Sequence, residues 1–334
     1  MRGKGKMTRG ALFPAPMPLE AKKRDIRKDN LSGAQDITGK AASLVLRLVR
    51  EKPLLTTRAL RAEVLAAAAT LFEAQPAMAP LYHLFARILA RLDHAASAAE
   101  AAKGVQSAAR SFLREMDEHN VKLARHLCQR IRHGDVLFTH SASRSVRTAL
   151  LHCWERGKRF SVVCSESRPA CEGVGLAQIL ARRGIPTSLT TDALALSLLR
   201  RPPGGGRRAA MALVGADSVA PAGLTNKAGT AALALVAGQC AVPLYALAGS
   251  EKFLPAAYPV KAAIGDKPPQ EILRRPPRGL DIINRYFDIT PLNQFRAVVT
   301  EEGFLGPERV LRELKKLRPQ RELIAMLKRR LRQN

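Results

Sequence analysis

Between Gly134 and Lys252, short apolar runs alternate with segments of helical period, and polar signatures (THSASR, SESRP, VGADS and TNKAGT) are placed after runs that read as buried strands. The runs fall at 136–139, 160–164, 186–190, 211–214 and 243–248. Strands separated by helices imply right-handed crossovers and a parallel sheet covered on both faces. In such a sheet, ligands bind outside the carboxyl ends of the strands, which is where these polar residues would gather. The expectation for this half is a Rossmann-like α/β domain over residues 132–306.

Upstream, the period is helical. Ala41, Leu44, Val45, Leu48 and Val49 share one face, as do Leu60, Val64, Ala68, Leu71 and Phe72. Leu81, Leu84, Phe85, Ile88 and Leu92 repeat the spacing, and a longer stretch holding Ala108, Phe112, Met116, Leu123 and Leu127 leads toward Ile131. Residues 30–131 are therefore expected to form an all-helical domain. Residues 1–29, rich in Lys, Arg and Pro without an apolar period, read as a flexible basic arm. Residues 307–334 read as a basic amphipathic helix that docks on its own protein or, as the rarer alternative, on nucleic acid or an acidic partner. The Gly triplet within 200–208 lacks the G-x-x-x-x-G-K-[ST] spacing and reads as a surface loop.

The 334 residues carry 55 Lys+Arg against 28 Asp+Glu, a formal charge of +27. Such a field attracts nucleic acid, anionic metabolites or acidic surfaces. An aromatic content of 4% leaves few platforms for stacking bases. Cys128, Cys153, Cys164, Cys171 and Cys240 are odd in number and contain no C-x-x-C pair, against both a disulfide framework and a zinc site. No metal and no cofactor is expected. The basic N-terminus has no apolar core of signal-peptide type and no later run approaches membrane-spanning length, so a cytoplasmic protein is expected.

His140-Ser141-Ala142-Ser143-Arg144-Ser145 follows a strand and enters a helix, where free N–H groups, hydroxyls and a guanidinium suit an anion. Ordinary capping by Ser143 or Ser145 is the alternative, and His140 could equally be a packed, hydrogen-bonded core residue. Glu166 could hold sugar hydroxyls and Arg168 a phosphate; spacing alone also permits an ion pair between them. Asp217 ends an apolar strand, where desolvation would raise its pKa and suit it to acid–base work, unless it only caps the following turn. Asn226 and Lys227 are expected to open a helix facing phosphate or sugar hydroxyls.

These motifs, together with Asp29-Asn30-Leu31-Ser32-Gly33-Ala34, Gln75-Pro76-Ala77, Asn284-Arg285-Tyr286-Phe287-Asp288-Ile289-Thr290-Pro291 and Val299-Thr300-Glu301-Glu302-Gly303, resemble one superfamily. It joins the alpha, beta and delta subunits of translation initiation factor 2B with methylthioribose-1-phosphate isomerase and ribose-1,5-bisphosphate isomerase. The resemblance runs from about Asp29 to about Gly306. It implies a helical N-terminal domain, a Rossmann-like C-terminal domain, a homodimer and a phosphorylated-sugar or nucleotide-like ligand.

The resemblance also assigns residues. Gly33, Ala34, His140, Ser143, Arg144, Glu166, Arg168, Asn226, Lys227 and Lys252 would bind ligand, and Asp217 matches the isomerases' acid. Their cysteine falls on Ser141. A thiol near pKa ~8.5 exchanges a proton near neutrality, whereas an unassisted serine hydroxyl does not. The expectation is a sugar-phosphate-binding, regulatory protein; an active aldose–ketose isomerase using Asp217 is the alternative, and an RNA-associated basic protein the third.

Overall fold

The computed structural model describes residues 19–29, 32–52, 55–200, 208–260 and 264–330. It begins with helices α1 (Leu19–Lys28), α2 (Ala34–Glu51), α3 (Thr57–Ala74), α4 (Ala79–Asp93) and α5 (Ala98–Cys128). Their apolar faces are the ones the spacing marks, and Leu44, Leu71, Phe85 and Ile88 are fully buried in one core. Local chemistry sets the starts. Thr56 accepts from the Ala59 N–H, and Ser97 accepts from the Glu100 N–H while Glu100 reaches back to Ala96, a reciprocal cap.

Residues 1–18 of the expected flexible arm lie outside the described residues. Its remainder is corrected: Leu19–Lys28 is helix α1, which packs on α2 and α3 with Ile26 buried in the helical core. One buried Ile and a partly buried Leu19 anchor this charge-rich sequence, too few apolar residues to show a period.

α5 serves both halves of the molecule. Ala101 to Met116 join the helical core, whereas Leu123, Ala124 and Leu127 pack under the sheet that follows. The second half comprises β1 (Asp135–Thr139), α6 (Arg144–Glu155), β2 (Phe160–Ser165), α7 (Glu172–Arg182), β3 (Thr187–Thr190), α8 (Asp192–Ala195) and β4 (Met211–Val214). It continues with β5 (Ser218–Ala220), β6 (Gly223–Lys227), α9 (Thr230–Gln239), β7 (Leu244–Leu247), β8 (Phe287–Thr290), β9 (Ala297–Thr300) and β10 (Gly303–Leu305). The seven-stranded sheet runs β10-β9-β7-β4-β1-β2-β3, parallel throughout except for the antiparallel β9–β10 hairpin. A mixed α/β fold with a mostly parallel sheet is thus what the strand–helix alternation describes.

Two features differ from the sequence expectation. Asn226 and Lys227 do not open a helix but end strand β6 of a small antiparallel sheet, β5-β6-β8, and α9 starts later, at Thr230. The tail forms two helices, α10 (Pro307–Lys316) and α11 (Arg321–Arg330). α10 buries Val310 and Leu314 beside the large sheet, and α11 places Leu323, Ile324 and Leu327 in the helical core. The tail therefore docks on its own protein. Part of the 200–208 loop, 201–207, lies outside the described residues.

Candidate functional site

β1 and β4 lie side by side, and the chain leaves them in opposite directions, β1 toward β2 and β3, β4 toward β7 and β9. A crevice opens outside the carboxyl ends at such a switch point. Here Ser141–Arg144 follow β1 and Ala216–Asp217 follow β4. Gly215 permits their approach, since a Cβ there would stand 2.4 Å from Ser143 Oγ. The start of α2, Gln75 and Met78 from the helical half close the opposite wall, leaving a cleft of about 690 Å³ including its open mouth.

Carboxylate and ammonium groups meet at its floor. Asp217 is 8% exposed, and Lys227 and Lys252 are 4% exposed each. Burial pushes the Asp217 carboxyl up to about 6, against the pull of Lys252 and Lys227 and of the Ala34 N–H that donates to it; Glu172 adds to the rise. The same burial depresses the Lys252 ammonium, which Asp217, Glu251 and Asp36 partly support. Among the described residues, no carboxylate comes within 4.0 Å of that ammonium. Lys227 Nζ instead contacts Glu172 Oε1 at 2.7 Å and sits over the Tyr286 ring at 4.7 Å. Helices α2, α6 and α7 all start at this cleft, with Gly33, Ser143 and Glu172 in its wall, so positive dipole ends add to the field.

The structure brings Gly33, Ala34, Ser141, Ser143, Arg144, Asp217, Asn226, Lys227 and Lys252 to this one cleft. Several are already engaged. Ser143 caps α6 by accepting from the Val146 N–H, and Arg144 bridges Asp36 on α2 and Asp117 on α5 at 3.2 and 3.1 Å. Ser141 holds a left-handed backbone, φ 69°, and its hydroxyl donates to Glu172 Oε1 at 3.1 Å. Asn226 donates to Thr230 Oγ1.

Three expected residues stand elsewhere. His140 is a buried strut: its Nε2 donates to the Ala228 carbonyl at 2.9 Å and its Nδ1 lies 2.6 Å from Ser165 Oγ. Glu166 and Arg168 do not line the cleft, and no ion pair joins them. The cause is the turn after β2, where Ser167 takes φ 66° and Asp192 accepts from the N–H groups of Ser167 and Arg168, leaving the Arg168 side chain exposed.

Glu172 fills the place this motif was expected to supply. Its position at the start of α7, after an irregular turn, gave no spacing signal. Tyr286 and Gln35 also line the cleft; Tyr286 lies within one of the family-like stretches, while Gln35 directly follows another.

Residues 30–307 match the profile of the initiation factor 2 subunit family. The chain belongs to that family. It is similar to the putative translation initiation factor eIF-2B subunit 2-like protein of Pyrococcus horikoshii, 33% identical over 289 residues that cover 86% of this chain and 95% of the relative. It is similar too to a ribose 1,5-bisphosphate isomerase of Haloterrigena turkmenica, 30% identical over 313 residues covering 88% and 91%. The crystal structure of the Pyrococcus horikoshii OT3 translation initiation factor eIF-2B superposes with a TM-score of 0.75 at 30% identity, covering 88% of this chain and 98% of that one. This initiation factor 2 subunit family member thus has relatives named for a translation initiation factor and relatives named for an isomerase. Among its described residues, no helix is long and apolar enough to cross a membrane.

Proposed function

We propose that the cleft binds a phosphorylated sugar and that the protein acts as a cytoplasmic, dimeric regulator of the eIF-2B type rather than as an isomerase. The observation that carries this reading is Lys252, a buried ammonium with no carboxylate within 4.0 Å among the described residues, on the wall that also holds Lys227 and three helix starts. A desolvated cation beside helix N-termini is stabilised by an anion with several acceptor oxygens, and a phosphate monoester has them. Asp217, Asn226 and Glu172 then offer partners to sugar hydroxyls. Ser141 in place of a thiol withholds a group able to exchange protons near neutrality.

One observation favours a second reading, an aldose–ketose isomerase. A carboxyl near pKa 6, as burial makes Asp217, can both give and take a proton at neutral pH. A ³¹P NMR time course with ribose 1,5-bisphosphate, and separately with methylthioribose 1-phosphate, decides between them. Broadened substrate signals without new resonances are expected. Ketose-phosphate signals that vanish in Asp217→Asn would establish the isomerase instead, and an unaltered spectrum would remove both readings.

A further inference from the structure

Behind Lys252, reaching the ligand cleft at Gln35, lies a buried polar cluster that the proposed binding does not use. The one-turn 3-10 helix Ser250–Lys252 carries Glu251, which is 5% exposed. Its carboxylate accepts from Gln35 Nε2 at 3.2 Å and from His119 Nδ1 at 2.9 Å. Gln35, on the first turn of α2, is joined to Asn120 on α5 by reciprocal amide bonds, and Asn120 Oδ1 accepts from Ser145 Oγ on α6. One carboxylate thereby ties the Lys252 turn to the elements that form the other walls of the cleft.

The turn is held twice by acids that meet at His119. Glu301 Oε2 accepts from the Ser250 N–H at 3.0 Å, and Glu301 Oε1 lies 3.8 Å from His119 Nε2. Gly249 allows the fold-back, because a Cβ there would meet Glu251 Oε2 at 2.2 Å. A single imidazole therefore spans both carboxylates that fix Ser250–Lys252.

We propose that Glu251 is a positioning residue for the anion site, that it sets the Lys252 ammonium through its contact with His119, and that the protonation of His119 controls this setting. The proposal rests on the sugar-phosphate reading of the cleft. When His119 is charged, it balances Glu251 and leaves the Lys252 ammonium available to a ligand anion. When His119 is neutral, Glu251 is a buried carboxylate whose neighbouring cation is Lys252, which it then draws away from the cleft.

The groups facing His119 favour its charged form on balance. Burial opposes the charge; Glu251 from the Ser250–Lys252 turn, Glu301 from the β9–β10 turn and Glu115 from its own helix support it, and they raise the imidazole above its ordinary value. The charges around Glu251 agree: His119 and Lys252 hold its carboxyl low despite burial. From α4, His83 faces Glu251 but is itself kept low by burial and by Arg87, and its Nε2 donates to the Phe253 carbonyl, so it does not replace His119 as the counter-charge.

The sign follows. Charged His119 favours the ligand, so affinity is greater at low pH and falls as pH rises through the raised His119 value; by reciprocity, ligand raises that value further. Affinities for ribose 1,5-bisphosphate and inorganic phosphate, measured by calorimetry at several pH values in wild type and His119→Gln, test this. Gln keeps the hydrogen bond without titrating, and taking the ratio of the two proteins cancels the ionisation of the phosphate itself. The ratio should change about tenfold between pH 6 and pH 9; a constant ratio would overturn the proposal.

A ligand-free arm separates this from the binding reading. In the unliganded protein, the Lys252 side-chain ¹³Cε resonance should follow the His119 titration, and Glu251→Gln should uncouple the two. Coupling without any binding would refute the sugar-phosphate reading and spare the positioning role. Binding with a Lys252 resonance indifferent to His119 would do the reverse.

Discussion

Lys227 Nζ lies 2.7 Å from Glu172 Oε1, and the same carboxylate oxygen accepts from Ser141 Oγ. The second oxygen, Oε2, is buried and has no hydrogen-bond partner among the described residues. Under the proposed binding, Glu172 occupies the place where an anion would meet Lys227. It links Ser141 after β1 to Lys227 at the end of β6, and it does so from a helix start that no motif marked.

Breaking this pair should be felt first as stability. Glu172→Gln keeps an acceptor for Ser141 but leaves Lys227, whose side chain is 5% exposed, without its counter-ion. Removing one partner of a buried pair costs roughly 3 kcal/mol. Urea unfolding should show a loss of that order, and saturating ribose 1,5-bisphosphate should restore most of it by supplying the anion. A loss that ligand leaves untouched would place the phosphate elsewhere.

Asp217 makes an opposite prediction. Its carboxyl is raised from 3.8 to about 6 in the folded protein, so the ionised form is disfavoured by folding. The penalty is fully present above about 6 and vanishes as pH falls below the unfolded value. Asp217→Asn should therefore be more stable than wild type at pH 8, by about 3 kcal/mol for a shift of this size, with the gap falling below about 1 kcal/mol at pH 4. Denaturant titrations at pH 4, 6 and 8 check it; a variant less stable at pH 8 would show that Asp217 is needed as a buried anion.

What was legible in the sequence was whatever a period could express. Val162, Ala212 and Leu244 belong to short apolar runs, and each run is a strand of the large sheet. The helical faces were equally open, because Leu44, Leu71 and Phe85 recur at helical spacing. Strands β5, β6 and β8 were not, since they are three to five residues long and mix polar with apolar residues inside a buried setting. Lys227 thus lines the cleft from the end of a strand and not, as its spacing suggests, from a helix start. Arg168 was misplaced because the left-handed Ser167 and the Asp192 anchor redirect the chain, and neither leaves a trace in spacing. Arg144 reached the cleft, yet its charge is shared by Asp36 and Asp117, residues far away in sequence.

The tail offers a test of docking against a free nucleic-acid arm. Leu323 on α11 is fully buried in the helical core, beside residues of α3. Leu323→Ala should cost about 3 kcal/mol by urea unfolding, as a buried Leu truncation does. Ligand affinity should stay as in wild type, because α11 contributes nothing to the cleft wall. A negligible change in stability would mean that the basic tail is only loosely held.

The assignment of charge within the cleft can be tested by a pair of alanine variants. Lys252 is buried at the cleft floor with no carboxylate within 4.0 Å among the described residues, whereas Arg168 is exposed and outside the wall. A hydrogen bond to a charged group contributes about 1.5–3 kcal/mol, so Lys252→Ala should weaken ribose 1,5-bisphosphate binding roughly tenfold to a hundredfold. Removing the buried ammonium relieves its desolvation but also takes a neighbouring cation from Asp217 and Glu251, so urea unfolding of the variant is read beside its affinity to separate lost binding from lost folding. Arg168→Ala should bind as wild type does, since its guanidinium adds only a screened, distant charge. Calorimetry on both variants at one ionic strength reads the difference. If Arg168→Ala lost the ligand and Lys252→Ala kept it, the turn after β2 would have to swing toward the cleft on binding, and the phosphate would sit over α7 instead of between β1 and β4.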